Sequence, residues 1–234
     1  MDSQLTLIDS NSESELAAPD PAFGATTILD FDHDGMISTD ATVRGQTRIR
    51  YSVRTVRAGL VGMSLKTVFS QGEEILATVQ RRDMIPDLLT LGGETMSLRS
   101  WLKTPMFSSF PASFSEGREM YLWKKGQGGG IDLYNGSDAN AGIIARFYPS
   151  YFVETHDRRR IMCHAHLDLQ AEADLIREKV FISCVLIVQK TMKMKARERD
   201  SIANQEFMFT VSSMAAAGED EAECEGKGTG LGVN

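Results

Sequence analysis

The stretch VFISCVLIV, residues 180–188, decides the fold of this chain. All of its residues are apolar or small, and charged residues flank it on both sides: Arg177, Glu178 and Lys179 before it, and Lys190, Lys193 and Lys195 after it. Residues 171–199 lack Gly and Pro and are rich in good helix formers, which predicts a helix. A helix that is apolar all round must be enclosed, either by protein or by lipid.

The length of this apolar stretch favours protein over lipid as its surroundings. A membrane span needs about 20 mostly apolar residues. The apolar stretch 180–188, at about 1.5 Å per residue in a helix, covers only about 14 Å. Extending the segment to Leu175–Met194 brings Arg177, Glu178 and Lys179 inside it, where a bilayer tolerates charge poorly. We therefore expect a buried core helix and no transmembrane span.

The charge distribution divides the chain into a body and two tails. The net charge is −7, but residues 1–21 and residues 201–234 contribute −5 each, which leaves +3 on residues 22–200. We predict disordered acidic tails over 1–21 and 201–234, and one domain over 22–200 with its central helix at about 171–199. Three cysteines at no disulfide or zinc spacing, and an N-terminus without a secretory signal pattern, predict a cytoplasmic protein with reduced thiols.

Short apolar segments separated by turn residues, from Thr26 to Leu169, predict many β-strands. Arg48–Arg54 alternates strictly, with Ile49, Tyr51 and Val53 on one face. Further strands are predicted at Thr26–Phe31, Ser64–Phe69, Ile75–Gln80, Glu94–Leu102, Met120–Lys124, Ile131–Tyr134, Ala141–Tyr148 and Arg160–Leu169, with an irregular loop over Pro105–Gly117. Strands followed by one late helix exclude an alternating βαβ fold. Because the helix needs a lining, we predict a mainly β (β+α) fold, a closed antiparallel β-barrel around the C-terminal helix.

Three segments carry a resemblance to a known family. They are the Tyr121-x-Trp123 strand, the Ala145-Arg146-Phe147 strand, and Asp174-Leu175-Ile176 leading into the apolar stretch and the basic residues 190–199. Over about residues 26–200 the chain resembles an uncharacterised fungal family, a domain of unknown function, within the tubby-like (tubby C-terminal, LURP-one-related and scramblase-like) superfamily. The resemblance implies a closed antiparallel barrel around a hydrophobic helix. It also implies binding to phosphoinositides or membrane surfaces, with no established activity for the fungal family.

An acidic segment near the N-terminus has part of a calcium-binding pattern. Asp30, Asp32, Asp34 and Gly35 have the spacing of the first two-thirds of an EF-hand loop. However, Ala41 stands where the loop requires a bidentate Glu, and the preceding residues have the pattern of a strand. An acidic β-turn is therefore favoured over a calcium site.

Two other motifs also favour a structural interpretation over a cofactor or metal site. Gly126–Gly130 lacks the Gly-Lys-Ser/Thr of a phosphate-binding loop, so a hairpin turn is favoured. His164 and His166 are two residues apart on one strand face, as a zinc pair requires, whereas Cys163 points the other way. The alternation favours two outward-facing histidines. We predict no cofactor and no metal.

Basic side chains are the best candidates for binding, since the chain has no recognisable hydrolase, kinase, zincin or Rossmann signature. Arg48, Arg50 and Arg54 share the polar face of one strand, and Lys124 and Lys125 flank a turn. Such groups on a rigid sheet hold phosphate, so these five are predicted to bind lipid or another anion. The favoured function is a non-catalytic module for phosphoinositides or an anionic membrane surface. The alternative is a protein-interaction or structural module; an enzyme has least support, and the weakly charged body argues against nucleic acid.

Overall fold

The computed structural model of the chain describes residues 23–58, 64–82, 85–136, 142–154 and 158–219, with side chains as far as Ser201. The predicted tail over 1–21, and residues 220–234 of the predicted C-terminal tail, lie outside this description.

The chain divides into two compact units, Met1–Lys190 and Thr191–Asn234, and the first holds every described strand. The strands are β1 (Thr27–Phe31), β2 (Ser38–Val43), β3 (Ile49–Ala58), β4 (Ser64–Gln71), β5 (Glu74–Arg81), β6 (Leu88–Leu91), β7 (Glu94–Ser97), β8 (Ala112–Glu116), β9 (Glu119–Lys125), β10 (Ile131–Asn135), β11 (Ile143–Tyr148), β12 (Tyr151–Glu154), β13 (Arg160–Cys163) and β14 (His166–Leu169). The helices are α1 (Leu98–Trp101), α2 (Ala171–Leu175) and α3 (Arg177–Glu219).

Twelve strands form one antiparallel sheet, in the order β7-β6-β5-β4-β3-β2-β1-β14-β11-β10-β9-β8. Strands that follow one another in the chain pair through short turns, as two-residue periodicity with frequent turn residues leads one to expect. Sequential pairing breaks between β7 and β8, between β11 and β12, and at β14, which inserts between β1 and β11 and joins the two halves of the sheet. β12 and β13 form a separate two-stranded hairpin.

The sheet is not closed, so the prediction of a closed β-barrel is wrong. β7 and β8 are its edges, and no ladder joins them within the described part of the chain. The predicted strand Glu94–Leu102 is only four residues of strand followed by helix α1, which is too short to close the sheet. Instead, the Trp101 ring stacks on Phe114 at 5.6 Å and Lys103 bridges to Ser113, so this segment covers the β8 edge.

The apolar stretch 180–188 is enclosed by protein, as predicted: every one of its side chains is at most 8% exposed. The Phe181 ring packs against the rings of Tyr51 on β3 and Phe69 on β4, with distances between ring centres of 4.7 Å and 6.3 Å. From the other half of the sheet, Trp123 of β9 hydrogen-bonds Ser183 at 3.0 Å. The sheet therefore curls around the helix without closing. None of the described helices combines the length and the apolar character that crossing a bilayer requires.

Several element bounds differ from those predicted. The helix expected over 171–199 is two helices, α2 and the longer α3, separated at Ile176. The predicted strand Arg160–Leu169 bends between Cys163 and His166 into β13 and β14. β8 lies inside the segment predicted to be an irregular loop, where the alternating buried side chains of Ala112 and Phe114 face the core. The hairpin turn predicted at Gly126–Gly130 is confirmed, since it joins the paired strands β9 and β10.

Candidate anion-binding site

The antiparallel order sorts the turns to two opposite ends of the sheet. One end of the sheet holds the β1–β2 and β9–β10 turns, the last residues of β3 and β5, the first residues of β4 and β6, α1 and residues 103–111. The β2–β3, β4–β5, β6–β7 and β8–β9 turns lie at the other end with α2. α3 begins beside α2 and reaches the first end at Lys190, which contacts Thr104 and Pro105. We call this first end the cationic end. Its described cations are Arg57, Arg81, Arg82, Arg99, Lys103, Lys125 and Lys190.

The described carboxylates of the cationic end are fewer, and each has a partner. Asp32 accepts from Thr39 Oγ1 at 2.7 Å, and Asp34 accepts from Ser150. Asp87 accepts from the Arg82 backbone N–H at 3.0 Å, and Asp132 accepts from Arg146 Nε at 2.8 Å. The opposite end is close to balanced. Its described carboxylates are Glu73, Glu74, Glu94, Glu116, Glu119, Glu172, Asp174 and Glu178, and its described cations are Arg44, Arg48, Arg50, Arg118, Arg177 and Lys179. The mildly basic body therefore has its spare positive charge at one end of the sheet.

Lys190 is the central cation of this end. Its ammonium donates to Thr104 Oγ1 at 2.7 Å and to the Pro105 carbonyl at 2.8 Å, so its described partners are neutral. Burial and the positive charge of Arg99 lower the pKa of Lys190. No carboxylate among the described residues forms an ion pair with Lys190, Arg99 or Lys103. Neighbouring cations without a counter-ion favour an anion from outside the chain.

Arg81 is a second cation of this end that the sequence pattern did not single out. It follows buried Val79 on the inner face of β5, so alternation turns it toward α3. Its Nη2 donates to Gln189 Oε1 at 3.0 Å, and Gln189 donates to the Met36 carbonyl at 2.5 Å. Burial lowers the pKa of Arg81, although the charge of Asp87 opposes this. Arg81 therefore contacts α3 at Gln189, the residue before Lys190, and adds positive charge at this end of the sheet.

Two of the three predicted arginines of β3 are not at the cationic end. Arg48 and Arg50 lie beside the β2–β3 turn at the opposite end. The β2–β3 register skips Arg50, so the alternation predicted for this strand breaks and Ile49 is 48% exposed. Arg50 lines a groove of 370 Å³ there. The other cations of that groove are paired, Arg177 with Asp174 and Lys179 with Glu116.

The remaining predicted residues are also dispersed. Arg54 is occupied by an ion pair with Asp40 at 2.7 Å. The Lys124 ammonium lies 4.2 Å from the centre of the Tyr134 ring. Lys125 is exposed at the β9–β10 turn and belongs to the cationic end. Five strands separate β3 from β9 in the sheet, so the structure does not bring the predicted set together.

The acidic segment 30–35 is the end of β1 followed by a turn, and its side chains have separate partners. Asp30 binds the Arg44 guanidinium at 2.6 Å, whereas Asp32 binds Thr39. Burial would raise the pKa of Asp32, but hydrogen bonds from Thr39 and from the Asp40 backbone N–H lower it. Within the described ranges, no three His, Cys, Asp or Glu side chains are grouped as a metal ion would require.

The two histidines are separated by the bend between β13 and β14. His164 is exposed, whereas His166 is 3% exposed and stacks on Tyr148 at 4.7 Å. Both line a groove of 690 Å³ between the outer face of β1–β3 and the β12–β13 hairpin. Asp30, Asp32 and Asp40 line the same groove, so its electrostatic character disfavours an anion.

Fold and site together define a mainly β domain with an enclosed helix and one cationic end. Residues 34–194 match a family described as a family of unknown function (DUF6593). Because this match covers more than half of the chain, the protein belongs to that family. The comparison with curated proteins found no match, and neither did the comparison with solved structures. The matched region extends from the β1–β2 turn into α3, and so includes Lys190 and its partners.

Proposed function

We propose that this protein is a non-catalytic module that binds anionic phospholipid headgroups at a membrane surface through its cationic end. The observation that carries the proposal is the contact of the Lys190 ammonium with Thr104 and Pro105, next to the exposed Lys103, with neutral hydrogen-bond partners and no described carboxylate in an ion pair. A phosphate layer supplies the missing negative charge, and each Lys or Arg near an anionic leaflet contributes about 1 kcal/mol.

The sequence resemblance points in the same direction, although the open sheet departs from the closed barrel that the resemblance implies. The chain resembles the tubby-like superfamily through an uncharacterised fungal family, and superfamily members bind phosphoinositides or membrane surfaces. The cytoplasmic location expected from the sequence would place the domain against the anionic inner leaflet. The five residues predicted from the sequence, Arg48, Arg50, Arg54, Lys124 and Lys125, remain a rival site on the same protein.

Co-sedimentation with vesicles tests this function. We expect the wild type to bind phosphatidylcholine vesicles that contain phosphatidylserine or a phosphoinositide, and not phosphatidylcholine alone. Binding should weaken as salt is added, because exposed charges are screened. A double variant, Arg99→Gln with Lys103→Gln, should lose about tenfold or more in affinity, since it removes two exposed cations. No binding at low salt would contradict the proposal.

A matched variant separates the site from net charge. Arg48→Gln with Arg118→Gln removes the same charge from exposed residues at the opposite end. We expect this variant to bind nearly as well as the wild type. Equal losses for both variants would mean that net charge alone governs binding. Loss confined to the Arg48 variant would assign the lipid site to β3.

Protein interaction is the second candidate function, and the β12–β13 hairpin favours it. Its cross-strand pairs expose large apolar side chains on both faces: Phe152 is 57% exposed, Met162 47%, Val153 39% and Ile161 53%. Exposed apolar patches commonly mark interaction surfaces. The test is self-association measured by sedimentation velocity over a range of concentrations. This function is favoured if the wild type forms an oligomer and the Phe152→Ser, Ile161→Ser double variant is monomeric. A monomeric wild type would argue against it.

A further inference from the structure

The loop beside Lys190 exposes the largest apolar side chain of the cationic end. Phe107 is 87% exposed and its neighbour Met106 is 67% exposed. Phe is normally buried, so two adjacent exposed apolar residues at one tip indicate a contact surface. Pro105, which precedes them, is the residue whose carbonyl accepts from the Lys190 ammonium. The apolar tip and the central cation are therefore directly connected.

The tip is held in place from both sides. Before it, Lys103 exchanges two backbone hydrogen bonds with Ser113 of β8, at 2.8 and 2.9 Å. After it, Ser108 Oγ donates to the Phe110 carbonyl at 2.9 Å, and Phe110 packs against the core. A loop fixed in this way loses little conformational entropy when its tip is buried by a partner. The loop therefore holds Phe107 in its exposed position.

The surrounding charges identify the partner. Lys103, Arg99 and Lys190 are all cations, and none of them forms an ion pair with a described carboxylate. A bilayer with anionic headgroups neutralises several cations together, while its acyl boundary accepts apolar side chains a short distance below. A protein partner would need an apolar cavity ringed by acidic groups.

We infer that Met106 and Phe107 insert into the interfacial layer of an anionic bilayer, with Arg99, Lys103 and Lys190 at the headgroups. This inference rests on the proposed function and adds the apolar part of the same site. Insertion is shallow, because unpaired backbone groups of a loop cannot enter the hydrocarbon region. The loop thus makes attachment partly independent of salt.

Tryptophan fluorescence tests the insertion. Phe107→Trp places an indole at the tip, and Leu175→Trp places one on α2 at the opposite end, where Leu175 is also 87% exposed. The native Trp101 and Trp123 are buried and supply a constant background. With phosphatidylserine-containing vesicles, the emission of the Phe107→Trp variant should shift to the blue and be quenched by brominated acyl chains. The Leu175→Trp variant should show neither change.

A second variant measures the energy of the insertion. Phe107→Ser should lower the vesicle partition coefficient about tenfold at a salt concentration that screens the cations, consistent with loss of one largely buried Phe side chain. Circular dichroism checks that this exposed substitution leaves the fold unchanged. An undiminished partition coefficient would overturn the inference.

The outcomes separate this inference from the proposed function. Vesicle binding with an unquenched Phe107→Trp probe would overturn insertion and leave headgroup binding intact. Failure of the wild type to bind any anionic vesicle at low salt would overturn both. A blue shift of the Phe107→Trp variant that depends on protein concentration without vesicles would assign the tip to a second copy of the chain, and would also overturn insertion.

Discussion

The indole N–H of Trp123 donates a hydrogen bond to Ser183 Oγ at 3.0 Å, and both side chains are fully buried. The Ser183 hydroxyl in turn donates to the Val180 carbonyl at 3.0 Å, one turn earlier in the helix. A buried indole needs such a partner. The bond is polar and directional within an apolar core, so it specifies which face of α3 meets β9.

Removing the acceptor should destabilise the protein. Ser183→Ala leaves the Trp123 N–H buried without its partner, and we expect the free energy of unfolding to fall by about 1–3 kcal/mol. Urea denaturation measures the change. In a Trp123→Phe background no indole donor remains, so Ser183→Ala should lower the free energy of unfolding by much less. An equal cost in the two backgrounds would refute the role given to this bond.

A charge inside the enclosed helix should prevent folding. Val185 is 0% exposed, and Val185→Asp places a carboxylate where no described partner can reach it. The penalty is several kcal/mol, which is comparable to a total stability of about 5–15 kcal/mol. We expect no cooperative thermal transition for this variant. Leu175→Asp, on the exposed face of α2, is the control and should melt like the wild type; a well-folded Val185→Asp protein would contradict the enclosure of α3.

Gly130, at the end of the β9–β10 turn, has no room for a side chain. A Cβ at this position would lie 2.6 Å from the Phe147 carbonyl oxygen. Gly130→Ala should therefore lower the free energy of unfolding by about 1–3 kcal/mol, as overpacked sites do. Gly142→Ala is the matched control, since its Cβ would meet open space. Similar stabilities of the two variants in urea would show that the β9–β10 turn adjusts without cost.

Asp168 should make stability depend on pH. The side chain is nearly buried, and its Oδ1 has no hydrogen-bond partner in the part of the chain that is described. Burial raises the pKa of Asp168, although the charges of His166 and Arg44 oppose this. A raised pKa in the folded state favours the protonated carboxyl. Its contribution to stability is therefore present below the unfolded pKa of about 3.9 and is lost as the pH rises through the folded pKa.

Asp168→Asn removes this titration. Relative to the wild type, the variant should gain more stability at about pH 7 than at about pH 4, measured by urea denaturation at both values. Asp32→Asn should show the opposite sign, because the pKa of Asp32 is lowered in the folded state. A stability difference for Asp168→Asn that does not change with pH would contradict the assignment.

The sequence pattern predicted the structure correctly where a residue's neighbours in the chain determine its environment. The uninterrupted apolar stretch around Val185 predicted an enclosed helix, and the turn at Gly126–Gly130 predicted a hairpin; both are confirmed. The strict alternation of β3 did not reveal the bulge at Arg50, because a bulge depends on the register with β2. The bend after Cys163 was missed for the same kind of reason.

The sequence by itself determined that a helix must be enclosed by many strands, since the length and polarity of an apolar run are properties of consecutive residues. The tertiary structure alone decided that the sheet stays open: β7 and β8 follow one another in the chain, but they lie at opposite edges of the sheet and do not pair, and the strand pattern does not show this. It also decided where the positive charge collects. Arg99 and Lys103 lie within or just after α1, whereas Lys190 lies far along the chain in α3, and only the fold brings Lys190 to the same end as the other two.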